Sequence, residues 1–329
     1  MKDVAVIILN WNGEAFLKEY LPEVIANTSS EIADIIVADN GSTDNSLKVL
    51  AEEFPDIRVI PFSENYGFAE GYNRAITATR YPYTVLLNSD VAPAQNWLEP
   101  LHRHMTGYPD TVACQPKIKA RIEPEYFEYA GACGGYLDKN GFPYCRGRIF
   151  DTVEKDTGQY DTPREVFWAS GAALMVRTDA YLGAGGLDPS FFAHMEEIDL
   201  CWRMKLRGGK IFAIPEGTVY HLGGGTLPAS NPRKTYLNFR NNLLMLHKNL
   251  PAHERRRRLF IRRLYDTVAL AKFIAALDFK NAKSIWNAHM DFRKMRQEPK
   301  DKPKENLVAT GRNIIIDYYL RGKKKYSQL

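Results

Sequence analysis

Residues 83–92 read YTVLLNSDVA. The apolar run Val85-Leu86-Leu87 stops at an amide, a hydroxyl and a carboxylate, Asn88-Ser89-Asp90, with Pro93 close behind. A short, uninterrupted apolar run bounded by turn residues predicts a strand covered on both faces, as in a parallel sheet. Ligands of such sheets bind beyond the carboxyl ends of the strands. The polar end of this strand is therefore as informative as its apolar body.

Working outward, the first hundred residues repeat the same grammar. VAVIIL (4–9), DIIVAD (34–39) and IRVIPF (57–62) are further strand candidates. Helices are expected within 14–26, from Ser42 or Thr43 as cap to about Phe54, and over 67–79. A βα alternation with continuous apolar strands predicts an α/β chain with a mostly parallel central sheet flanked by helices. The strand ends are polar: Asn10-Trp11-Asn12-Gly13, Asp39-Asn40-Gly41-Ser42, Asn65-Tyr66-Gly67 and Asn88-Ser89-Asp90. Turn chemistry alone accounts for any one of them. Four on one rim of one sheet point to a site.

After Ala94 the rhythm breaks. Residues 125–150 are rich in Gly and aromatics and predict irregular strands and turns. EVFWASGAALMV (165–176) holds another buried strand. EEIDLCWRMKLR (196–207) has helical spacing, with Ile198, Trp202 and Leu206 on one face. Residues 208–215 and 217–226 predict two turn-strand units, and the chain from Pro232 onward is mainly helical, with a polar loop at 297–306. The acids Glu196, Glu197 and Asp199 stand at a helix start, where they complement the helix dipole. Asp199 and Arg203, at i and i+4, can pair. Yet the acids follow PSFFAHM, a stretch suited to lining a pocket, and a carboxylate there can act as general base for a hydroxyl.

Composition limits the alternatives. With 329 residues, 45% hydrophobic and 12% aromatic, the chain is globular. VAVIIL is too short for a signal-peptide core. The longest apolar candidate for a membrane span, 267–279, is cut by Lys272 and Asp278. A cytoplasmic protein, free or attached at the inner face of the membrane, is expected. The four cysteines lack metal spacing and read as reduced thiols. G-x-G-x-x-G, the P-loop and G-x-S-x-G are all missing. Net charge is uneven: residues 251–329 carry 20 Lys+Arg and 8 Asp+Glu, a balance of +12, while the first 250 residues carry 24 and 31, a balance of −7. A basic tail on an acidic body suits an anionic surface. RRRR (255–258) lacks the interleaved aromatics of a nucleic-acid platform, so no nucleic acid is expected. In the tail, Leu264, Val268, Ala271 and Ala275 share a face flanked by Phe260 and Ile261; packing on the catalytic body is the plainer expectation, membrane contact the alternative.

A metal held by Asp90 would be a hard cation, Mg²⁺ or Mn²⁺, and His221 could add an imidazole. With these residues in view, the chain resembles the family 2 inverting glycosyltransferases of GT-A fold, and most nearly the rhamnosyltransferase-like subgroup. The matching stretches run in the family's order from VIILNWNG (6–13) through IIVADNGSTDNS (35–46), ENYGFAEGYNRAI (64–76) and LLNSDV (86–91). WASGAALMVRTDAY with GGLDPSFFAHMEEIDLCWR (168–203) and VYHLGGGT (219–226) complete them.

The resemblance implies a GT-A catalytic domain over 1–245, with a nucleotide-sugar-binding half (1–100) and an acceptor-binding half (101–245), followed by a basic helical extension (246–329). It implies transfer of a sugar from a UDP-, dTDP- or GDP-sugar to the hydroxyl of a saccharide or lipid-linked saccharide, in cell-surface polysaccharide or glycolipid synthesis. Asp39 would meet the donor base, with Asn10 and Asn12 beside it. Gly67 and Asn73 would lie near the donor. Asn88 and Asp90 form the D-x-D-like motif, with Asp90 and His221 on the divalent metal. Glu197, preceded by Glu196, would be the catalytic base, and the pair leaves the assignment open between them. Two departures stand out: Asn88 replaces the motif's first acid, and Glu197 the usual aspartate. A sugar-phosphate nucleotidyltransferase is the alternative enzyme, but NWNGEAF lacks the basic Gly-rich loop it needs. A non-catalytic carbohydrate-binding protein of the same fold is the other alternative.

Overall fold

The computed structural model describes residues 2–223, 231–298, 303–308 and 311–329. Strands β1 (Val4–Asn10), β2 (Ala33–Asp39), β3 (Arg58–Pro61) and β4 (Tyr83–Leu87) pair in parallel in the order β3-β2-β1-β4. They alternate with α1 (Glu14–Asn27), α2 (Ser46–Glu53) and α3 (Gly67–Thr79). Val4 to Ile8 and Val85 to Leu87 are sealed from solvent, as strands covered on both faces must be. Each helix follows its apolar spacing: α1 buries Leu17, Tyr20, Leu21 and Val24, and α3 buries Ala69, Tyr72 and Ile76. Tyr72 also donates its hydroxyl to the carbonyl of Leu87 (2.9 Å), pinning the end of β4.

The second half is mixed. After β5 (Val91–Pro93), α4 (Leu98–Gly107) and β6 (Thr111–Ala120), the chain leaves the sheet. It builds a small antiparallel sheet of β7 (Gly135–Leu137), β8 (Pro143–Cys145), β9 (Arg148–Ile149) and β10 (Thr152–Val153). This is the irregular Gly- and aromatic-rich stretch expected there. It then returns as β11 (Arg164–Val166), β12 (Ala173–Arg177), α5 (Thr178–Gly183), α6 (Glu196–Leu206) and β13 (Lys210–His221). Among the described residues the main sheet runs β11-β13-β6-β12-β4-β1-β2-β3, with β5 paired to β13. β12 is antiparallel to β4 and places the chain just before Ala173 on the same rim as the ends of β1, β2 and β4.

Two local expectations are corrected. Neither Ser42 nor Thr43 caps α2; the helix starts at Ser46, because Ser42 and Thr43 are held by Asn10, Asn12 and Asp39 instead. The two units expected over 208–226 are a single strand, β13, with a register shift between Ile214 and Thr218 where Pro215 interrupts pairing. Gly224, Gly225 and Thr226 of the VYHLGGGT stretch lie outside the described residues, as does part of the 297–306 loop.

Three long helices follow: α7 (Pro232–Asn249), α8 (Ala252–Ala275) and α9 (Phe279–Met295). Position 245 falls inside α7, whose side chains pack onto the loop before α6, so this helix is integral to the catalytic body. The packing expected of the Leu264–Val268 face of α8 is not what the structure has. Both side chains are exposed, and α8 instead buries Leu259, Arg262 and Asp266. Arg262 donates to Asp266 (2.7 Å) and to Asn242, and His289 of α9 lies 3.0 Å from Asp266. A buried ion pair needs such a complete set of partners.

Candidate active site

Because β4, β1 and β2 are parallel neighbours, Asn10, Asp39 and Asn88-Ser89-Asp90 end side by side. Asp39 is fully buried. Its carboxylate accepts from the Asn10 amide (2.9 Å) and from the Ser42 N–H (3.0 Å). Asn12 sits in the left-handed region (φ 49°), a conformation asparagine tolerates. Its Oδ1 accepts from the Thr43 N–H (2.7 Å), while its own N–H donates to Ser42 Oγ (2.9 Å). Asn40 ties in the third strand end: it donates to Asn65 (2.9 Å) and to the Gly67 carbonyl (3.1 Å), and accepts from the Tyr66 N–H (3.0 Å). Gly41 (φ 73°) permits that approach, since a Cβ there would stand 2.5 Å from the Glu64 backbone. Gly67 (φ 77°) opens α3 facing Phe192.

The structure thus brings Asn10, Asn12, Asp39 and Gly67 to one rim and adds Asn40, Gly41 and Ser42, which the sequence reading did not select. Asn73 is different. Its amide donates to the Leu187 carbonyl (2.8 Å), and its oxygen accepts from Tyr181 OH (2.7 Å) and the Leu187 N–H (3.0 Å). Both ends of the amide are engaged with α5 and the loop after it, so Asn73 braces that loop.

At the next strand end, pairing of His221 with Val91 sets β13 against β5 and brings the imidazole beside Asp90. His221 Nε2 lies 3.1 Å from Asp90 Oδ1 and 3.4 Å from the Asn88 amide nitrogen. Its Nδ1 faces Glu128 Oε2 at 3.4 Å, near enough for ion pairing but not aligned as a hydrogen bond. Burial works against charge on this ring, but Asp90 and Glu128 outweigh it and raise the pKa to about 10. Glu128 is a buried carboxylate from the irregular region before β7, where no periodicity marked it. A carboxylate behind a histidine that faces a metal position fixes the ring's orientation.

These donors suit a divalent cation. Asp90 and His221 converge within 3.1 Å, with the Asn88 side chain beside them. Mg²⁺ and Mn²⁺ in phosphate sites take one or two carboxylates and leave the remaining positions to phosphate oxygens and water. Among the described residues no group of three or more His, Cys, Asp or Glu is placed to hold a metal by itself. Cation binding at Nε2 would displace the imidazole's proton.

The acids of α6 divide sharply. Asp199 is fully buried and answered by Arg203 (2.8 Å), Lys248 (2.9 Å) and Asn249 (2.7 Å), which makes it structural. Glu196 and Glu197 each keep a buried Oε2 without a hydrogen-bond partner. Burial raises both carboxyls above the ordinary range, and for Glu196 the neighbouring Glu197 adds to the effect. Glu196 is closed off from solvent, whereas Glu197 is only half-buried. The Glu197 side chain lies against Gly171, two residues before β12 and next to the Asn88 end of β4. Of the two, Glu197 is therefore the one that opens toward the rim.

The loop in front of these acids is strained. Phe192, His194 and Met195 all have positive φ (67°, 68° and 75°), each costing on the order of 1–3 kcal/mol. Helix α7 holds them there. Arg240 donates to the carbonyls of Ser190 and Phe191 (3.1 and 2.8 Å), and Asn241 to those of Phe191, Ala193 and His194 (2.9, 2.7 and 2.8 Å).

A parallel nucleotide-type half, a mixed half crossing back on the same rim, and a carboxylate–imidazole pair at the switch define a GT-A-type transferase. Comparison with known proteins agrees. Residues 5–162 match the family Glycosyl transferase family 2. An N-acetylglucosaminyl-diphospho-decaprenol L-rhamnosyltransferase of Mycobacterium tuberculosis is 24% identical over 236 residues, covering 67% of this chain and 76% of the relative. In fold, the chain is similar to S. aureus TarS 1-349 in complex with UDP-GlcNAc (TM-score 0.59, 14% identity, 89% of this chain and 80% of that one). It is also similar to GalNAc-T7 with UDP, GalNAc and Mn²⁺ (TM-score 0.59, 17% identity), covering 75% of this chain and about half, 48%, of that longer one. Over residues 5–162 the chain is thus similar to the family 2 glycosyltransferases, and over about two thirds of its length to rhamnosyltransferases.

Proposed function

We propose that the protein transfers a sugar, rhamnose or another hexose, from a nucleotide-diphosphate sugar to an acceptor hydroxyl with inversion, and that Glu197 is its base. The observation that carries this reading is the Glu197 carboxyl, raised in pKa by burial and with an unpartnered buried Oε2, on the rim that holds Asp90 and His221. A base must be basic enough near neutral pH and free to accept a proton, and the raised, unpartnered carboxyl of Glu197 meets both conditions.

Each residue's task follows from its chemistry. An ionised carboxylate offers about four acceptor positions. Asp39 uses two within the protein, leaving capacity for an N–H of the donor's base. Asn10 and Asn12 keep the 39–44 loop in shape for that contact. Asp90 and His221, oriented by Glu128, would hold Mg²⁺ or Mn²⁺, and the bound ion would supply positive charge to the departing diphosphate. Glu197 removes the acceptor hydroxyl's proton as its oxygen bonds to the anomeric carbon. The bond from that carbon to the diphosphate breaks on the opposite face, and a single displacement inverts the centre. A saccharide carried on a lipid diphosphate is the acceptor class we infer, in keeping with the decaprenol-linked substrate in the relative's name.

Release of nucleoside diphosphate, measured over a panel of UDP-, dTDP- and GDP-sugars with Mg²⁺ or Mn²⁺, tests the reading. One donor should give acceptor-dependent release, and product NMR should show the opposite anomeric configuration. Asp90→Ala should weaken metal-dependent donor binding. Retention of configuration, or metal-dependent turnover unchanged in Asp90→Ala, would overturn it.

A further inference from the structure

Helix α8 is inverted relative to an ordinary surface helix: the charges Arg262 and Asp266 are inside, and large apolar side chains are outside, while α9 buries Ala282, Ile285 and Phe292 but leaves Trp286 outside. On α8, Phe260, Leu264 and Val268 stand at i, i+4 and i+8, so they form one stripe. Leu264 is 53% exposed and Val268 69%. The turn between the helices adds Leu277, 75% exposed and held at φ 58°, and Phe279 follows it. On α9, Trp286 is 62% exposed one turn beyond Lys283.

The charge around this apolar surface has one sign. From Arg255 to Arg296 the sequence holds 12 Lys+Arg and 3 Asp+Glu. Of those three acids, Asp266 is buried with Arg262, Asp278 caps α9 at the Asn281 N–H, and Asp291 accepts from Tyr236. Arg256, Arg257, Lys272, Lys280 and Lys283 are exposed. A second copy of this face would bring the same positive charge against it. An anionic lipid surface answers both features, taking apolar side chains below the headgroups and cations among them. No helix among the described residues is long and apolar enough to cross a membrane, so the hairpin would lie on the surface.

We propose that the α8–α9 hairpin docks the protein on anionic lipid, with Leu264, Val268, Leu277 and Trp286 entering the interface. The surface stands on exposure and charge alone; only its link to an acceptor held in the same membrane rests on the function proposed above. Each cation at such a surface strengthens attachment about fivefold, and each buried apolar group adds to it.

Flotation of the full chain with phosphatidylcholine vesicles, with and without phosphatidylglycerol, is the test. Binding should need phosphatidylglycerol and weaken at high salt. Leu264→Glu with Val268→Glu should lower it about tenfold or more, and Lys280→Glu with Lys283→Glu should act in the same direction. Both pairs are exposed, so the melting temperature should not move. Indifference to phosphatidylglycerol, or binding unchanged in both double variants, would overturn the proposal. So would light scattering that shows a dimer dispersed by the Leu264/Val268 change, since the face would then be a protein interface. Donor turnover on a water-soluble acceptor is measured separately, so a failure of the transfer reading leaves this result legible.

Discussion

The two ends of the proposed active-site rim are built on opposite principles. At the proposed donor end, Asn10 donates to Asp39, and Asn12, Asp39 and Asn40 accept from the backbone N–H groups of Thr43, Ser42 and Tyr66. At the acceptor end, Glu196 and Glu197 have buried oxygens with no partner, behind a loop with three left-handed residues. The first arrangement stores shape; it is finished before a ligand arrives. The second stores reactivity, because a carboxyl deprived of donors binds a proton more tightly. Buried polar groups are normally satisfied, so each exception asks for a cause, and at Glu197 the cause proposed is chemistry.

This contrast can be broken most decisively at Glu197. Glu197→Gln should lower turnover by about 10²–10⁴-fold, with donor affinity by calorimetry nearly unchanged. Near-normal turnover would move the base to Glu196 or elsewhere. Asn241→Ala releases three carbonyls of the strained loop. A misplacement of about 1 Å can cost about 10²-fold, so turnover should fall by about 10–10²-fold while the donor KM holds. An equal loss of donor binding would show that the two ends are not separate devices.

The pH dependence sharpens the comparison further. Burial pushes Glu197 up to about 7 from the ordinary 4.5, so the folded protein disfavours its charged form. The cost is absent below the unfolded value, grows as pH rises between the two values, and is constant above the folded one. Glu197→Gln should therefore raise the melting temperature at pH 8 and leave it nearly unchanged at pH 4. In the parent enzyme, kcat/KM should rise with pH through an acid limb near 7 as the base ionises. The smallest effect is expected at the donor end. Asn12→Ala should cost about 1 kcal/mol of stability and raise the donor KM severalfold, with kcat little changed.

Much of the donor half was legible because its signals are local. Continuous apolar runs ended at polar rims, and α3 spans the 67–79 expected from its spacing. Asn10 and Asp39 follow from being last in their strands, and Asp90 from the turn that closes β4. Glu128 was not legible, since it reaches His221 from a stretch without periodicity and nothing in its neighbours names a partner. Asn73 was legible as a helix residue but not as a brace for Leu187, a contact 114 residues away in sequence. The α8 stripe was seen and its direction missed. Amphipathic spacing says that a helix has an apolar face, and only the buried Arg262–Asp266 pair says which way that face turns.

The clamp on the loop before α6 also bears on how the chain comes into being. The main sheet is complete at His221, and both glutamates are in place by then. Arg240 and Asn241, which hold the strained residues, are made later. A chain still emerging during synthesis can close its nucleotide-binding rim before it can fix its base. The fixing of the proposed base therefore waits for the helix that leads into the basic hairpin.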